Sequence, residues 1–418
     1  MLKVEAALAA ALAKSGIISQ EQAEAIGKAC RPDAFDADKM DALGAIAGTP
    51  VIPLVKELVA KTKSHSEEAA RFVHFGSTSQ DILDTAMVLL LKDCVSTITK
   101  DLSRAQIAFT KLAHTHALTP MLGRTLLQAG PPISFGQKVA GWVATMRRGK
   151  KRLEAAAEGA LCLQFGGAVG NLSSLNNKGL EVSTYLAEEL DLPLPPGPWH
   201  TQRDQLVELA SAVGILIGSL GKIARDISLQ TQSEVAELRE PAQAGKGTSS
   251  AMPHKRNPVG CMKILSSANR APGLVSSLLS GMPQEHERGL GGWQAEWPSL
   301  RDLFGLAIDA NAAIADIAEG LEVDTARMRC NLDATQEVIF SERLSTALLS
   351  QLGRIEAQEL VTSLVSQSMD ENKRLSQVAG ENAVVQSVLN PEALSTVFDL
   401  KQTLGSSLDF INRLLEES

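Results

Sequence analysis

The chain has 418 residues, enough for about three domains or for one long-helix domain with smaller flanking regions. Hydrophobic residues make up 44% of it and charged residues 21%, which is typical of a globular protein and argues against disorder. The formal net charge of −8 argues against nucleic acid as the main partner, because phosphate binding needs an excess of clustered cations.

The N-terminal part of the chain predicts a small helical region. Residues 2–14 contain strong helix formers, with apolar residues at helical spacing. A second short helix is predicted after Ser19. A third is predicted over about 39–61, and Pro50 and Pro53 should break or kink it.

A hydroxyl-rich turn follows at residues 74–81, with the sequence His-Phe-Gly-Ser-Thr-Ser-Gln-Asp. Ser77 and Gln80 have the spacing of a capping box, which predicts that a helix begins here. From 84 to about 116 apolar residues recur every three or four positions, so we expect one very long helix of ~50 Å.

The rest of the chain supplies helical partners for this element. Helices are predicted at 136–159, 201–239, 258–281 and 297–321, followed by shorter ones after about 324. The segment 206–227 is apolar on nearly all faces, which indicates a bundle core or a subunit interface and hence an oligomer. We therefore predict an all-α protein with long central helices, divided into an N-terminal domain, a central bundle and a C-terminal helical domain at 1–76, 77–324 and 325–418.

One loop, residues 245–258, combines small residues, hydroxyls and cations: Gly-Lys-Gly-Thr-Ser-Ser-Ala-Met-Pro-His-Lys-Arg-Asn-Pro. Its glycines allow backbone N–H groups to approach a ligand closely. Asn257 and Pro258 suit an N-cap and a first helical turn, and the N-terminus of that helix would favour a bound carboxylate or phosphate. The alternative is a solvated surface loop.

The five cysteines are scattered singly along the chain. Without paired spacing they indicate neither a disulfide framework nor a zinc site, so a reducing cytoplasm is the simplest setting. Apolar runs are interrupted before ~18 residues, which predicts a soluble protein with no membrane partner.

Residues 247–258 resemble the GSSxMPxKxNP signature of the fumarase/aspartase superfamily, with Thr248 where the signature usually has glycine. Two more stretches match in the same order along the chain. Residues 74–81 resemble the first shared region of the superfamily, and Gly123-Arg124-Thr125 resembles the start of the second. The resemblance covers almost the whole chain and implies the superfamily's long-helix bundle.

Within the superfamily, residues 198–204 and 285–297 look most like the bacterial 3-carboxy-cis,cis-muconate cycloisomerases. These enzymes lactonise a tricarboxylate to 4-carboxymuconolactone in the protocatechuate branch of aromatic breakdown. Many C–O and C–N lyases of the superfamily read Gly-Arg-Thr-His in the second region, whereas this chain has Leu126 at the histidine position. Cycloisomerases of this group also carry an apolar residue there, which favours that activity.

The resemblance implies addition or elimination through an aci-carboxylate intermediate, without a metal or another cofactor. Ser249 lies six residues before Lys255, the spacing of the catalytic pair in the superfamily, and we predict that Ser249 transfers the proton at carbon. Lys255 and a helix dipole would stabilise its anion. The residues predicted to bind the substrate are His74, Thr78, Ser79, Gln80, Arg124, Thr125, Arg203, His254, Asn257 and Arg343.

Several of these predictions have structural alternatives. Residues 78–80 could serve only as a helix cap, and the three arginines of the set could form structural ion pairs. The resemblance also implies a homotetramer in which each site is built from regions of three subunits and takes a small polycarboxylate.

Two further activities stay open. One is a cycloisomerase for a sulfonated muconate, and the other is a C–N lyase of the adenylosuccinate or argininosuccinate type. A catalytically silent helical scaffold is a third hypothesis, against which the intact Ser249, Lys255 and Asn257 argue.

Overall fold

The computed structural model describes residues 1–242, 247–248, 252 and 255–416. Nineteen α-helices and four short strands lie in these residues, so the predicted all-α class is confirmed. Short 3₁₀ turns interrupt the connections at Pro32–Ala34, Ser173–Lys178 and Val338–Phe340.

The N-terminal part contains five helices, most of them short. Ser19 and the glutamine three residues later form a capping box that begins the second. The predicted break near Pro50 is confirmed, because Gly48 ends one helix at φ 77° and the next begins after Pro50. The five are α1 Leu2–Lys14, α2 Gln20–Ala29, α3 Ala37–Ala47, α4 Val51–Lys63 and α5 Glu67–Ala70.

Long helices occupy the central part of the chain, as their apolar periodicity predicts. The longest has 37 residues, which gives a length of about 55 Å at the α-helical rise. The central helices are α6 Ser79–Thr115, α7 Phe135–Ala160, α8 Gly179–Leu190, α9 Asp204–Gln230, α10 Val259–Ser280 and α11 Gly292–Gly320.

A β-hairpin that the helical periodicity did not predict lies between α6 and α7. Strands β1 Pro120–Thr125 and β2 Gln128–Ser134 pair antiparallel, with Thr125 opposite Gln128. Their two-residue loop is Leu126-Leu127, at φ 51° and 66°. A second ladder joins β3 Leu238–Arg239 to β4 Glu322–Val323.

Shorter helices follow β4, as predicted for the C-terminal part. They bury their own apolar cluster, in which Leu344, Leu348 and Leu375 are fully enclosed. These helices are α12 Thr325–Asp333, α13 Ser341–Leu352, α14 Arg354–Glu371, α15 Leu375–Glu381, α16 Ala383–Val388, α17 Pro391–Val397, α18 Leu400–Thr403 and α19 Ser407–Glu416.

The chain divides into two compact units, each made of three separate segments. The first contains Met1–Thr99, Lys151–Ile217 and Asn269–Ile308, and the second contains Lys100–Lys150, Gly218–Ala268 and Asp309–Ser418. Helices α6, α7, α9, α10 and α11 each contribute residues to both units. The predicted division at 76 and 324 follows the order of the chain instead, and it stays a prediction.

Helix α9 is the one described helix that is long and apolar enough to cross a membrane by length and composition. Of its most apolar 18-residue window, 61% is buried inside the protein. This burial agrees with a bundle core, one of the two roles predicted for 206–227, and the other role, a subunit interface, stays a prediction.

Candidate active site

The hydroxyl-rich turn lies at the N-terminus of α6, in the first unit. Thr78 precedes the helix, and its backbone N–H donates to the Asp81 carboxylate at 3.0 Å. The cap therefore joins residues 78 and 81, and the predicted pairing of Ser77 with Gln80 is wrong by one position. The Ser77 hydroxyl instead donates to the carbonyl of His74.

Asp81 is buried, and its hydrogen bonds connect this turn to two other segments of the chain. Its carboxylate lies 2.7 Å from Nε2 of His200 and accepts the backbone N–H groups of Gly166 and Gly167 at 3.0 and 2.9 Å. Because every acceptor position of Asp81 is directed at protein groups, this residue holds the turn rigid while Thr78 and Ser79 stay half-exposed at its surface.

Gln80 has a structural role that the sequence did not predict. Its side chain is buried, and its amide donates to the carbonyl of His200 at 2.8 Å and to Asp84 at 3.2 Å. Both amide hydrogens are therefore used inside the protein, so Gln80 has no donor for a substrate carboxylate.

Arg203 forms structural ion pairs, which was the alternative to its predicted role in substrate binding. Its side chain is completely buried between two carboxylates, with Nη1 2.7 Å from Asp84 and Nη2 2.6 Å from Glu296. Burial disfavours its charge, but the two facing carboxylates more than compensate and raise the pKa of Arg203. The prediction of a substrate clamp at Arg203 is corrected to a buried ion-pair network.

Arg288 is a residue that the sequence analysis missed. Its Nη2 donates to the carbonyls of Gly167 and Ala168 at 3.1 and 3.2 Å, and its Nε is buried without a hydrogen-bond partner in the structure. Desolvation lowers the pKa of Arg288, partly offset by Asp81 and Asp84. Arg288 lies in the cycloisomerase-like string 285–297, so that string was the available signal.

His74 lies four residues before the helix cap at Thr78, on a strained backbone. It is not glycine, yet it has φ 62°, and its Nδ1 is 2.7 Å from Oε1 of Glu5 in α1. Its predicted role toward the substrate is untested, but it shares the first unit with Thr78 and Ser79.

In the second unit, Arg124 forms the ion pair that was its structural alternative. It binds the buried carboxylate of Glu237 in a bidentate manner, at 2.8 and 3.0 Å, and Asn331 donates to the same carboxylate. Thr125 ends β1 and is exposed beside Leu126, which is 96% exposed. Substrate contacts of Arg124 and Thr125 stay predictions.

The cationic loop is described only in part. Ser249 and His254 lie outside the described residues. An isolated antiparallel bridge joins Thr248 to Arg256, and the N–H of Asn257 donates to the carbonyl of Gly247 at 2.9 Å. Lys255 is exposed.

The helix after this loop begins differently from the prediction. Helix α10 starts at Val259, and its first free N–H groups, those of Gly260 and Cys261, donate to the carboxylate of Glu240 at 2.9 and 2.7 Å. Because Glu240 already fills this anion position, the α10 N-terminus does not offer it to a substrate. Burial, with the Glu240 charge, raises the pKa of Cys261, so that thiol stays protonated.

Arg343, on α13, donates from Nη2 to the carbonyl of Thr396 at 3.1 Å. It is half-buried, and no carboxylate pairs with it among the described residues. Its predicted role as a carboxylate clamp is untested. Groups of three or more side chains suited to hold a metal ion do not occur in the part of the chain that the structure describes.

Comparison with known proteins agrees with this architecture. The family model described as Lyase matches residues 1–273, and the model described as Adenylosuccinate lyase C-terminus matches residues 337–414. Together they cover both the motif-bearing region and the C-terminal helices.

Individual relatives match over the whole of this chain and more than nine-tenths of their own length. The 3-carboxy-cis,cis-muconate cycloisomerase of Bradyrhizobium diazoefficiens is 45% identical over all of this chain and 92% of its own. The enzyme of the same name from Pseudomonas aeruginosa is 43% identical over all of this chain and 91% of its own. The crystal structure of 3-carboxy-cis,cis-muconate lactonizing enzyme from Pseudomonas putida is 42% identical, covers this whole chain and 93% of its own, and superposes with a TM-score of 0.94.

A family match over more than half of the chain, together with this similarity to solved structures, confirms what the three motifs predicted: the chain belongs to the fumarase/aspartase superfamily of lyases.

Proposed function

We propose that this protein catalyses the lactonisation of 3-carboxy-cis,cis-muconate to 4-carboxymuconolactone. The observation that carries the proposal is the 45% identity, over the whole chain, to an enzyme named for that substrate. Similarity to a solved lactonizing enzyme over the same length supports it.

The reaction needs positioning and charge stabilisation by the protein. A carboxylate oxygen of the substrate attacks a carbon of the diene, forming the C–O bond of the lactone. The displaced electron pair moves onto a neighbouring carboxylate as the aci-carboxylate, and a proton is then delivered to the α-carbon. Donors placed around that carboxylate lower the barrier because they match the developing charge.

We assign the proton transfer at carbon to Ser249, with Lys255 stabilising its anion and Asn257 binding a substrate carboxylate. Thr78 and Ser79 remain candidates on the first unit, since both stay half-exposed at the cap of α6. Arg124, Thr125, His254 and Arg343 complete the proposed set.

Leu126 supports the cycloisomerase over a C–N lyase. It stands where many superfamily lyases carry a histidine, at the tip of a hairpin, and is 96% exposed. A leucine there supplies no proton donor, so a reaction that relies on this histidine is disfavoured.

We further propose a cytoplasmic homotetramer with shared active sites, no nucleic-acid or membrane partner, and a small polycarboxylate as ligand. An assembly of this kind would explain why the three motifs of one site lie far apart in the sequence.

The proposal is tested by direct turnover. Purified protein is mixed with 3-carboxy-cis,cis-muconate, and the loss of diene ultraviolet absorbance is followed while NMR identifies the lactone. Parallel reactions contain the sulfonated muconate, adenylosuccinate or argininosuccinate. We expect turnover of the carboxymuconate; no loss of absorbance at micromolar enzyme, with cleavage of adenylosuccinate instead, would reject the proposal.

A serine variant tests the assigned proton transfer. Ser249→Ala should lower kcat at least ~10²-fold, as expected when a group used in proton transfer is removed. Ser280→Ala, in α10, is a matched control that should keep normal turnover, since its hydroxyl only donates to the carbonyl of Ser276. Normal turnover by the Ser249 variant would assign the proton transfer to another residue.

A further inference from the structure

A buried carboxylate lies behind the hydroxyl-rich turn. Glu5, on α1, is 1% exposed, and its Oε1 is 2.7 Å from Nδ1 of His74. Its second oxygen, Oε2, is buried without a hydrogen-bond partner in the structure. A carboxylate in such a place costs free energy, so Glu5 is a candidate for a role other than stability.

The surroundings of Glu5 offer it little other compensation. The groups that face it are the Met1 amino group, the Cys30 thiol and the His74 ring. Burial, reinforced by the Glu5 charge, raises the pKa of Cys30 to about 12, so that thiol stays neutral. Burial also lowers the pKa of the Met1 amino group, which disfavours its charge. His74 is therefore the direct hydrogen-bonding partner of this carboxylate.

The His74 ring is held in one orientation. The contact with Glu5 uses Nδ1, while the side chain remains 20% exposed. Nε2 is then the only ring nitrogen available to a ligand. The positive φ of His74 adds backbone strain, a feature that persists where the surrounding structure imposes it and that clusters at functional sites.

His200 is the other histidine in a motif-like stretch that pairs with a carboxylate, and it differs from His74 in its burial. His200 pairs with Asp81, but it is buried and its backbone carbonyl binds Gln80. Of the carboxylate-paired histidines in the described residues, His74 alone keeps its ring partly at the surface, beside the turn that carries Thr78 and Ser79.

We infer that Glu5 is a positioning residue, which fixes the His74 ring so that Nε2 meets the substrate carboxylate on which charge develops in the transition state. When the ring carries both protons, Nε2–H donates to that carboxylate while Glu5 balances the charge. The inference rests on the proposed lactonisation and adds a donor that the second region, with Leu126, does not supply. Carboxylate partners of this kind fix ring orientation and tautomer.

The kinetic test removes the charge and keeps the shape. Glu5→Gln should lower kcat about 10- to 100-fold, by analogy with the loss seen when carboxylate partners that orient metal-ligating histidines are removed, with KM changed less than about threefold. His74→Asn should lower kcat at least as much, and the double variant should be no worse than His74→Asn alone, because the two residues act as a unit. Glu24→Gln, an exposed change on α2, is the matched control and should keep normal kinetics.

A spectroscopic readout tests the predicted orientation and tautomer of the His74 ring independently of activity. Nitrogen-15 NMR of histidine-labelled wild-type protein should show Nδ1 of His74 protonated at neutral pH, and Glu5→Gln should change that signal without unfolding the protein. If Glu5→Gln retains wild-type kcat, or if Nδ1 of His74 is unprotonated in the wild type, the inference is wrong. If wild-type protein does not turn over carboxymuconate, the proposed function fails, and the NMR result still decides the His74 orientation.

Discussion

Arg203 illustrates how a single side chain holds the interior of the first unit. It is completely buried and lies between the carboxylates of Asp84 and Glu296. Asp84 also accepts from Nε1 of Trp293 at 2.9 Å, so the network joins α6, the segment before α9 and α11. Such a network stabilises mainly by cancelling charge, since each of its members would be costly to bury alone.

Replacing Arg203 should therefore destabilise the protein strongly. Arg203→Met keeps most of the volume but leaves two buried carboxylates without a cation, which should cost about 3–5 kcal/mol of unfolding free energy. Urea unfolding followed by circular dichroism measures the change. Arg301→Met, on the same helix as Glu296 but with an exposed side chain, should cost little.

A second variant keeps this prediction testable if the first does not fold. Adding Asp84→Asn and Glu296→Gln to Arg203→Met removes the uncompensated charges and should recover part of the lost stability. A single variant as stable as the wild type would show that the ion pairs are unimportant.

At the scale of the element, the β1–β2 hairpin combines two unfavourable choices. Both loop residues have positive φ, a conformation that Asn and Gly adopt more readily than leucine, and both apolar side chains are exposed. Local stability therefore does not account for this sequence. The proposed substrate contact of Thr125, which lies next to the tip, would account for it.

Changing this loop should separate stability from activity. The double variant Leu126→Asn, Leu127→Gly has the residues that a turn with two positive φ values favours, so it should gain about 1–2 kcal/mol of unfolding free energy. If the tip serves the site as proposed, turnover should fall at the same time.

The control for exposed leucine is Leu180→Asn, on α8, where the side chain is 80% exposed in an ordinary helix. This variant should neither raise the stability of the protein nor reduce its turnover. A melting temperature of the hairpin variant equal to or below that of wild type, measured by calorimetry, would show that the leucine loop is not strained.

Helices were the elements that the sequence predicted best. The long apolar periodicities of α7 and α10 gave both bounds within one residue, because packing repeats every turn over many turns. The hairpin was not predicted because its loop has leucines instead of the usual turn residues. Helix α11 begins five residues earlier than predicted, before an internal Pro298.

At the scale of the whole molecule, the superfamily and the all-α class could be predicted because contiguous motifs carry them. The assignment of individual side chains could not, because it depends on partners distant in sequence. Gln80 and Arg203 have residue types suited to bind a carboxylate, and only their burial against Asp84 reveals a structural role. Arg288 lies in the cycloisomerase-like string 285–297 but had no role assigned to it, and Glu5 lies in no recognised motif. Their unsatisfied buried atoms identified both residues.

The composition of the two compact units also constrains how the chain can fold while it is being synthesised. Each is assembled from three segments interleaved along the sequence, so the first cannot be completed before Ile308 has been synthesised, and the second needs the last quarter of the chain. Until then, apolar helices such as α9 lack the partners that bury them. A nascent chain of this design stays unfinished through most of translation, which makes it a candidate client for chaperones that shield long apolar segments on the ribosome.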